Sequence, residues 1–139
     1  MASRNSTCAL LADRHTTVAE RVRDLLEADF ETVYTVSNVL SLREGAQRLE
    51  PALVVLDISL AGNGSRDILS EISMLCPTSR VIVLSVHDEA VVARAALASG
   101  AQGIVLKRTI GNDFHNAVSA VLRGELFVSP GFGIQANVD

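Results

Sequence analysis

The chain has 139 residues, the size of one ordinary domain, and its 48% hydrophobic content indicates a folded globular protein. Its formal net charge of −4 argues against a basic nucleic-acid surface, so we expect no direct nucleic-acid binding by this chain. No apolar stretch reaches the roughly 20 residues that cross a bilayer, and we predict no membrane contact and a cytoplasmic location. Cys8 and Cys76 lack metal-ligand spacing and are predicted to be reduced thiols.

Predicted strands and helices alternate along the chain. Short apolar runs rich in β-branched residues predict five strands, at residues 8–13, 31–36, 52–57, 80–85 and 103–107. Apolar residues at helical spacing predict a helix after each strand, the first capped by Thr16 or Thr17 and the second by Ser37 or Asn38. Proline or glycine follows four of these helices, at Pro51, Pro77, Gly100 and Gly124.

This alternation predicts the fold class. Strands joined through helices must run parallel, with helices on both faces of the sheet. We therefore predict a single-domain α/β fold, a doubly wound (βα)5 parallel sheet with the strand order 2-1-3-4-5. The domain is predicted to span residues 7–128, followed by an irregular tail at 129–139.

Polar residues end four of the predicted strands, and the ends of parallel strands lie at one edge of a sheet. These residues are Asp13, Asp57, Ser85 and Lys107. Because strands one and three are neighbours in this order, Asp13 and Asp57 are expected to meet, and two close carboxylates need Mg²⁺ or a lysine ammonium. Such a carboxylate can attack a phosphoryl group while Lys107 neutralises the phosphoryl oxygens and Ser85 offers a hydroxyl.

Four segments carry a family resemblance: LLADRH, ALVVLDISLAG, VIVLSVHDE and SGAQGIVLKR. In this order they resemble the receiver domain of two-component response regulators, most of all the subgroup that precedes a C-terminal helix-turn-helix in transcription regulators. The resemblance implies a flavodoxin-like fold, with Asp57 as phosphoacceptor and Lys107 and Ser85 as site residues. It also implies a Mg²⁺ site formed by Asp13, Asp57 and the backbone carbonyl of Ser59.

The same resemblance implies how the protein works in a phosphorelay. The implied partner is a sensor histidine kinase or a phosphotransfer protein, and the implied output is a change in partner binding or homodimerisation on the surface Val91 to Ala120. The protein is not expected to be an enzyme beyond self-phosphorylation from a phosphodonor and slow autodephosphorylation.

Two departures from the receiver pattern predict an atypical site. Arg14 stands where receivers carry a second acid, so we expect weak Mg²⁺ binding and a guanidinium able to pair with Asp57. Ile104 stands where receivers carry an aromatic switch residue. The alternative function is a phosphorylation-independent pseudo-receiver, an interaction module in which Arg14 fixes one state.

A third hypothesis is an enzyme on a similar fold, and the sequence disfavours it. A glycine-rich phosphate loop is missing after the first strand, and the second acid of aspartate-nucleophile phosphatases is replaced by Ser59. His15 and His87 flank the same rim, but histidines in exposed loops are common, and we assign neither a role.

Overall fold

Strands and helices alternate along the computed structural model, which describes residues 5–60 and 65–134, with side chains described at 8–60 and 67–134. The described strands are β1 (Asn5–Ala12), β2 (Phe30–Val36), β3 (Leu53–Asp57), β4 (Arg80–Ser85), β5 (Gly103–Leu106) and β6 (Phe127–Val128). The described α-helices are α1 (Thr16–Glu27), α2 (Val39–Leu49), α3 (Ser65–Leu75), α4 (Ala90–Ala98) and α5 (Ile110–Leu122). None of these helices combines the length and apolar character that a bilayer crossing needs.

The strands form one parallel sheet in the order β2-β1-β3-β4-β5-β6, which confirms the predicted flavodoxin-like order for the first five. The sixth strand was not predicted. It pairs in parallel with β5, Phe127 opposite Gly103 and Val128 opposite Ile104. Two residues are too few to show the alternation or the apolar run by which a strand is identified in a sequence.

Helices cover both faces of the sheet, and each face has its own apolar core. Alternate residues of a strand point to opposite faces, so Leu10 and Leu11 of β1 belong to different cores. One core contains residues of α2, α3 and α4, among them Leu42, Ala46, Ile68, Ile72, Ala93 and Ala96. The other contains residues of α1 and α5, among them Val22, Leu26, Phe114, Val118 and Val121. Burial on both faces explains why the central strands are continuously apolar.

The helix ends correct one predicted cap and confirm another. Asn38 caps α2, because its side-chain oxygen accepts a hydrogen bond from the N–H of Ser41 at 2.8 Å. The predicted cap of α1 by Thr16 or Thr17 is wrong: the N-cap residue is His15, which makes no side-chain cap bond. Gly100 follows α4 with φ +117°, a backbone conformation that favours glycine.

The chain beyond β6 packs against the end of β5. Ser129 is fully buried, and its hydroxyl accepts a hydrogen bond from the N–H of Leu106 at 3.0 Å and donates one to Asp113 at 2.7 Å. A single 3-10 turn (Pro130–Phe132) then buries Phe132 in the core. Residues 129–134 of the predicted tail therefore make defined contacts, and residues 135–139 lie outside the described residues.

Candidate functional site

Two carboxylates meet at the carboxyl ends of neighbouring strands. Asp57 is the last residue of β3, and Asp13 directly follows β1, whose Ala12 is paired with Leu56 of β3. Each aspartate is only 2% exposed. Ligands of doubly wound sheets bind at this edge, where strand order reverses between β1 and β3. The fold therefore places two nearly buried acids at the position where chemistry is expected.

Lys107 places a positive charge between these two acids. It begins a 3-10 turn (Lys107–Thr109) directly after β5, and its side chain is 12% exposed. The Nζ atom lies 3.1 Å from Oδ2 of Asp57 and 3.4 Å from Oδ2 of Asp13. One ammonium thus contacts two carboxylates whose mutual repulsion would otherwise oppose folding. Lys107 is also the only lysine of the chain.

Ser59 completes the surroundings of the Asp57 carboxylate. Its backbone N–H donates to Oδ1 of Asp57 at 3.2 Å, and its hydroxyl donates to Oδ2 at 3.0 Å. Burial acts to raise the pKa of Asp57, but these hydrogen bonds, together with the hydrogen bond and positive charge of Lys107, outweigh it and hold the pKa below the ordinary 3.8. Asp57 is therefore an anion at neutral pH, as a nucleophilic carboxylate must be.

The hydroxyl of Ser85 is turned toward the loop that follows β4. It donates a hydrogen bond to the carbonyl of His87 at 2.8 Å and accepts one from the N–H of His87 at 3.0 Å. Ser85 is fully buried, and it follows Leu84, the residue paired with Asp57. The structure thus brings Asp13, Asp57, Ser59 and Lys107 into contact, and holds Ser85 on the next strand by its own local bonds.

Arg14 does not pair with Asp57, and that expectation is wrong. Its side chain is exposed and makes no hydrogen bond or ion pair to any described residue. It lines a cleft of about 410 Å³ together with Asp13, residues of α1 and residues of the region where β2 leads into α2. Lys107, and not Arg14, is therefore the cation that pairs with the two acids.

His15 occupies the place beside the acids that the sequence suggested for Arg14. Its Nδ1 atom lies 3.4 Å from Oδ1 of Asp13 and 3.5 Å from Oδ2 of Asp57, and its side chain is 56% exposed. The backbone explains this position, because Oδ1 of Asp13 accepts the N–H of His15 at 2.8 Å and bends the chain back over the strand end. The sequence contained one signal for this position of His15, since an aspartate such as Asp13 often accepts the backbone N–H two residues later and so forms a turn.

The donor atoms fit a cation only in part. Oδ2 of Asp13 is buried and accepts no hydrogen bond from a described residue, although Nζ of Lys107 lies 3.4 Å away, so one oxygen is left for a metal. Oxygens of Asp13 and Asp57 are ligands that Mg²⁺ accepts. The third group near these oxygens is a ring nitrogen of His15, a kind of ligand that Mg²⁺ accepts poorly.

The sheet order and the acid–lysine cluster define the chain as a doubly wound, flavodoxin-like α/β protein. The sequence profile of the response regulator receiver domain matches residues 9–119. This chain therefore belongs to the response regulator receiver family.

Similar proteins agree with this assignment. The chain is 31% identical over 120 residues to the Fimbriae Z protein of Salmonella typhimurium, covering 85% of this chain and 57% of that protein. It is 30% identical over 133 residues to the nitrate/nitrite response regulator protein NarL of Escherichia coli, covering 93% of this chain and 61% of that protein. The chain thus spans between 57% and 61% of the length of these two relatives.

A solved structure shows the same fold. The crystal structure of a LuxR-family two-component response regulator from Aurantimonas sp. matches with a TM-score of 0.84 and 24% sequence identity. The match covers 93% of this chain and 94% of that one. The arrangement of strands and helices described above is therefore that of known receiver structures.

Proposed function

We propose that this chain is a phosphorelay receiver that accepts a phosphoryl group on Asp57. The observation that carries the proposal is the ionised, nearly buried Asp57 carboxylate with the ammonium of Lys107 at 3.1 Å. A lysine in this position offers positive charge where the oxygens of an incoming phosphoryl group would lie.

The chemistry is a direct displacement at phosphorus. A carboxylate oxygen of Asp57 attacks the phosphorus of a phosphohistidine, the phosphorus–nitrogen bond breaks, and an aspartyl phosphate and a free imidazole are formed. Lys107 neutralises the oxygens of the transferred group, and the N–H of Ser59 holds the carboxylate in place. Mg²⁺, held by Asp13, Asp57 and the carbonyl of Ser59, would add positive charge at the phosphoryl oxygens, and we expect it to bind weakly.

Intact mass after incubation with a small phosphodonor tests the proposal. We expect the mass of one phosphate to be added to the wild-type chain and none to Asp57→Asn, which keeps the shape of the side chain but loses the nucleophile. Asp24→Asn, an exposed acid on α1, is the matched control and should be labelled like the wild type. An unlabelled wild-type chain at high donor concentration would contradict the proposal.

The partner is a sensor histidine kinase or a phosphotransfer protein, and the output is partner binding or homodimerisation through α4, β5 and α5. Exposed Val91 on α4, 67% accessible, supports a contact role for this surface. The hydroxyl of Ser85 must break its hydrogen bond to the carbonyl of His87 before it can bind a phosphoryl oxygen. Buried Ile104 stands where receivers carry the aromatic residue whose ring moves toward this hydroxyl. Sedimentation with and without the phosphate mimic BeF₃⁻ measures the output, and Val91→Glu should abolish any dimer.

A role in transcription regulation is proposed because the chain is 32% identical over 116 residues to the transcription regulator BvgA of Bordetella pertussis. We do not propose that the residues of this chain contact nucleic acid directly. The cytoplasmic location stays a prediction.

The second candidate function is a pseudo-receiver that works without phosphorylation. Arg14 favours it, because a cation stands where receivers carry a metal-ligand acid. In this case wild type should bind no Mg²⁺ at millimolar concentration and take up no phosphate, whereas Arg14→Asp should bind Mg²⁺. Equal Mg²⁺ affinity of the two proteins would rule out a blocking role for Arg14.

A further inference from the structure

Three hydrogen-bonded side chains connect α5 with the residues on either side of Lys107. The hydroxyl of Ser129 donates to Oδ2 of Asp113 at 2.7 Å and accepts the backbone N–H of Leu106 at 3.0 Å. The hydroxyl of Thr109 donates to the same oxygen of Asp113 at 2.5 Å. One carboxylate oxygen of α5 thus holds both the segment that follows β6 and the 3-10 turn that Lys107 begins.

These bonds anchor the backbone before and after Lys107. Leu106, the last residue of β5, is paired with Ser85 of β4 on one side and bound through its N–H to the segment after β6 on the other. The carbonyl of Lys107 accepts the N–H of Ile110, and Thr109 is bound to α5 through its hydroxyl. The Cα atom of Lys107 therefore lies between two anchored residues.

A side-chain hydroxyl makes the last bond between the segment after β6 and β5. The N–H of Ser129 donates to the carbonyl of Ile104 at 3.0 Å, as in a regular ladder. The next N–H, that of Leu106, is accepted by the hydroxyl of Ser129, because the carbonyl of Ser129 accepts the N–H of Phe132. Ser129 is fully buried, and packing alone does not favour a hydroxyl at such a position, since its burial costs free energy unless it is hydrogen-bonded.

The contacts of Lys107 with the acids require an exactly placed backbone. A lysine ammonium is a point charge on a flexible four-carbon chain, so the position of its Cα atom limits where the charge can lie. Nζ lies 3.1 Å from Oδ2 of Asp57 and 3.4 Å from Oδ2 of Asp13. A displacement of about 1 Å is enough to misalign a reacting group and to lower a rate by up to about a hundredfold.

We propose that the side chains of Thr109, Asp113 and Ser129 are positioning residues for Lys107. They fix the end of β5 and the turn after it, and so keep the ammonium beside the phosphoacceptor Asp57. The segment after β6 thereby becomes part of the phosphorylation site, although none of its residues touches the acids. The effect on phosphorylation rests on the proposed function, whereas the position of the ammonium is measured without a phosphodonor.

Magnetic resonance of the lysine side chain tests the position of the ammonium directly. Lys107 is the only lysine of the chain, so ¹³C,¹⁵N-lysine labelling gives the signals of this one side chain. In the wild type we expect two separate ε-methylene proton signals, because the held ammonium places these protons in different surroundings. Ser129→Ala should merge them into one averaged signal, since a released side chain changes rotamer on the picosecond to nanosecond timescale.

The two substitutions of Thr109 separate the hydrogen bond from the shape of the side chain. Thr109→Val keeps the branched shape and removes the hydroxyl, and it should bring the two ε-methylene signals closer together. Thr109→Ser keeps the hydroxyl and should restore the wild-type separation. Rescue by serine would not follow if the site merely needed the bulk of threonine.

Gly100→Ala is the control for a general loss of stability. Gly100 lies before β5, at the opposite end of the strand from Lys107, and its φ of +117° makes alanine destabilising there. We expect this variant to lose stability in urea and to keep the wild-type lysine signals. A change in the lysine signals that is as large in Gly100→Ala as in Ser129→Ala would show that stability, and not positioning, is measured.

The rate of phosphorylation by a saturating small phosphodonor tests the consequence for the site. We expect Ser129→Ala to lower the rate constant about tenfold and Gly100→Ala to leave it within about twofold of the wild type. A wild-type chain that takes up no phosphate contradicts the proposed function, and the lysine signals then still test the positioning. Wild-type rates in both Ser129→Ala and Thr109→Val would refute the effect on phosphorylation.

Unchanged lysine signals in folded Ser129→Ala and Thr109→Val would overturn the positioning itself. Circular dichroism establishes that each variant is folded. If Ser129→Ala does not fold, Thr109→Val decides, because Thr109 is only partly buried and its replacement keeps the shape of the side chain.

Discussion

Replacing Lys107 with methionine tests whether this lysine holds the two acids together. The substitution keeps an unbranched side chain of similar length and removes the charge. Asp13 and Asp57 then stay next to each other, each only 2% exposed, without the ammonium between them. We expect the folded state to be strongly destabilised at neutral pH, because two carboxylates would be left without a positive partner.

The distances set the size of the effect. Nζ of Lys107 lies 3.1 Å from Asp57 and 3.4 Å from Asp13. At an effective dielectric constant of about 20, each attraction amounts to about 5 kcal/mol, and desolvation of the three groups offsets much of it. The expected net loss is about 3 kcal/mol in the free energy of unfolding, or roughly 10 °C in the midpoint of thermal unfolding.

The loss should depend on pH in a defined direction. In the wild type the pKa of Asp57 is lowered, so its contribution to stability is complete above the ordinary 3.8 and is lost as pH falls through the lowered value. Without Lys107, burial and the charge of Asp13 should raise the pKa of Asp57 above 3.8, and stability should then fall as pH increases. The difference between the two proteins should widen from pH 4 to pH 7.

Urea unfolding at several pH values measures this difference. Arg108→Met is the control, since Arg108 is the neighbouring cation and its ion pair with Asp88 is about half exposed on both sides. It should change stability by less than about 0.5 kcal/mol. A loss below about 1 kcal/mol in Lys107→Met, or a loss that is the same at pH 4 and pH 7, would refute the assigned role of Lys107.

Three further substitutions test the packing of the fold by urea unfolding. Ser129→Ala removes the acceptor of the buried Leu106 N–H and should cost about 1–2 kcal/mol; an unchanged midpoint would contradict this role. Phe132→Ala should cost about 3–4 kcal/mol because Phe132 is buried in the core, and a loss under 1 kcal/mol would mean that this segment is not packed in solution. Gly100→Ala should cost at least about 1 kcal/mol, because φ is +117° and the added Cβ would lie 2.6 Å from the hydroxyl of Ser73; full stability would contradict this strain.

Much of the fold could be predicted from the sequence because its signals are local and repeated. Continuous apolar runs identify strands buried on both faces, and the helices between them require parallel pairing. The ends of elements depend on single hydrogen bonds, and these were less predictable. At α1, threonine is a good capping residue by type, but Asp13 binds the N–H of His15 and the helix begins without a side-chain cap.

The arrangement of the site was predictable only for residues at the ends of strands. Parallel neighbours align their ends, so Asp13 and Asp57 had to be close, and a lysine side chain is long enough to reach them from β5. No such rule applies to the loop after β1. A sequence does not show which of two consecutive loop residues turns inward, and here Arg14 faces solvent while His15 reaches the acids.

The charge balance of the site explains why these two loop residues matter together. A receiver with two acids after β1 and the acceptor aspartate holds three negative charges against one lysine, and the excess attracts a divalent cation. Here only two carboxylates face Lys107, so a weaker attraction for Mg²⁺ follows from the charge count alone. Asp13 and Asp57 still offer the oxygen ligands that Mg²⁺ accepts, so we expect weaker Mg²⁺ binding than in a receiver with three acids, and not its complete loss.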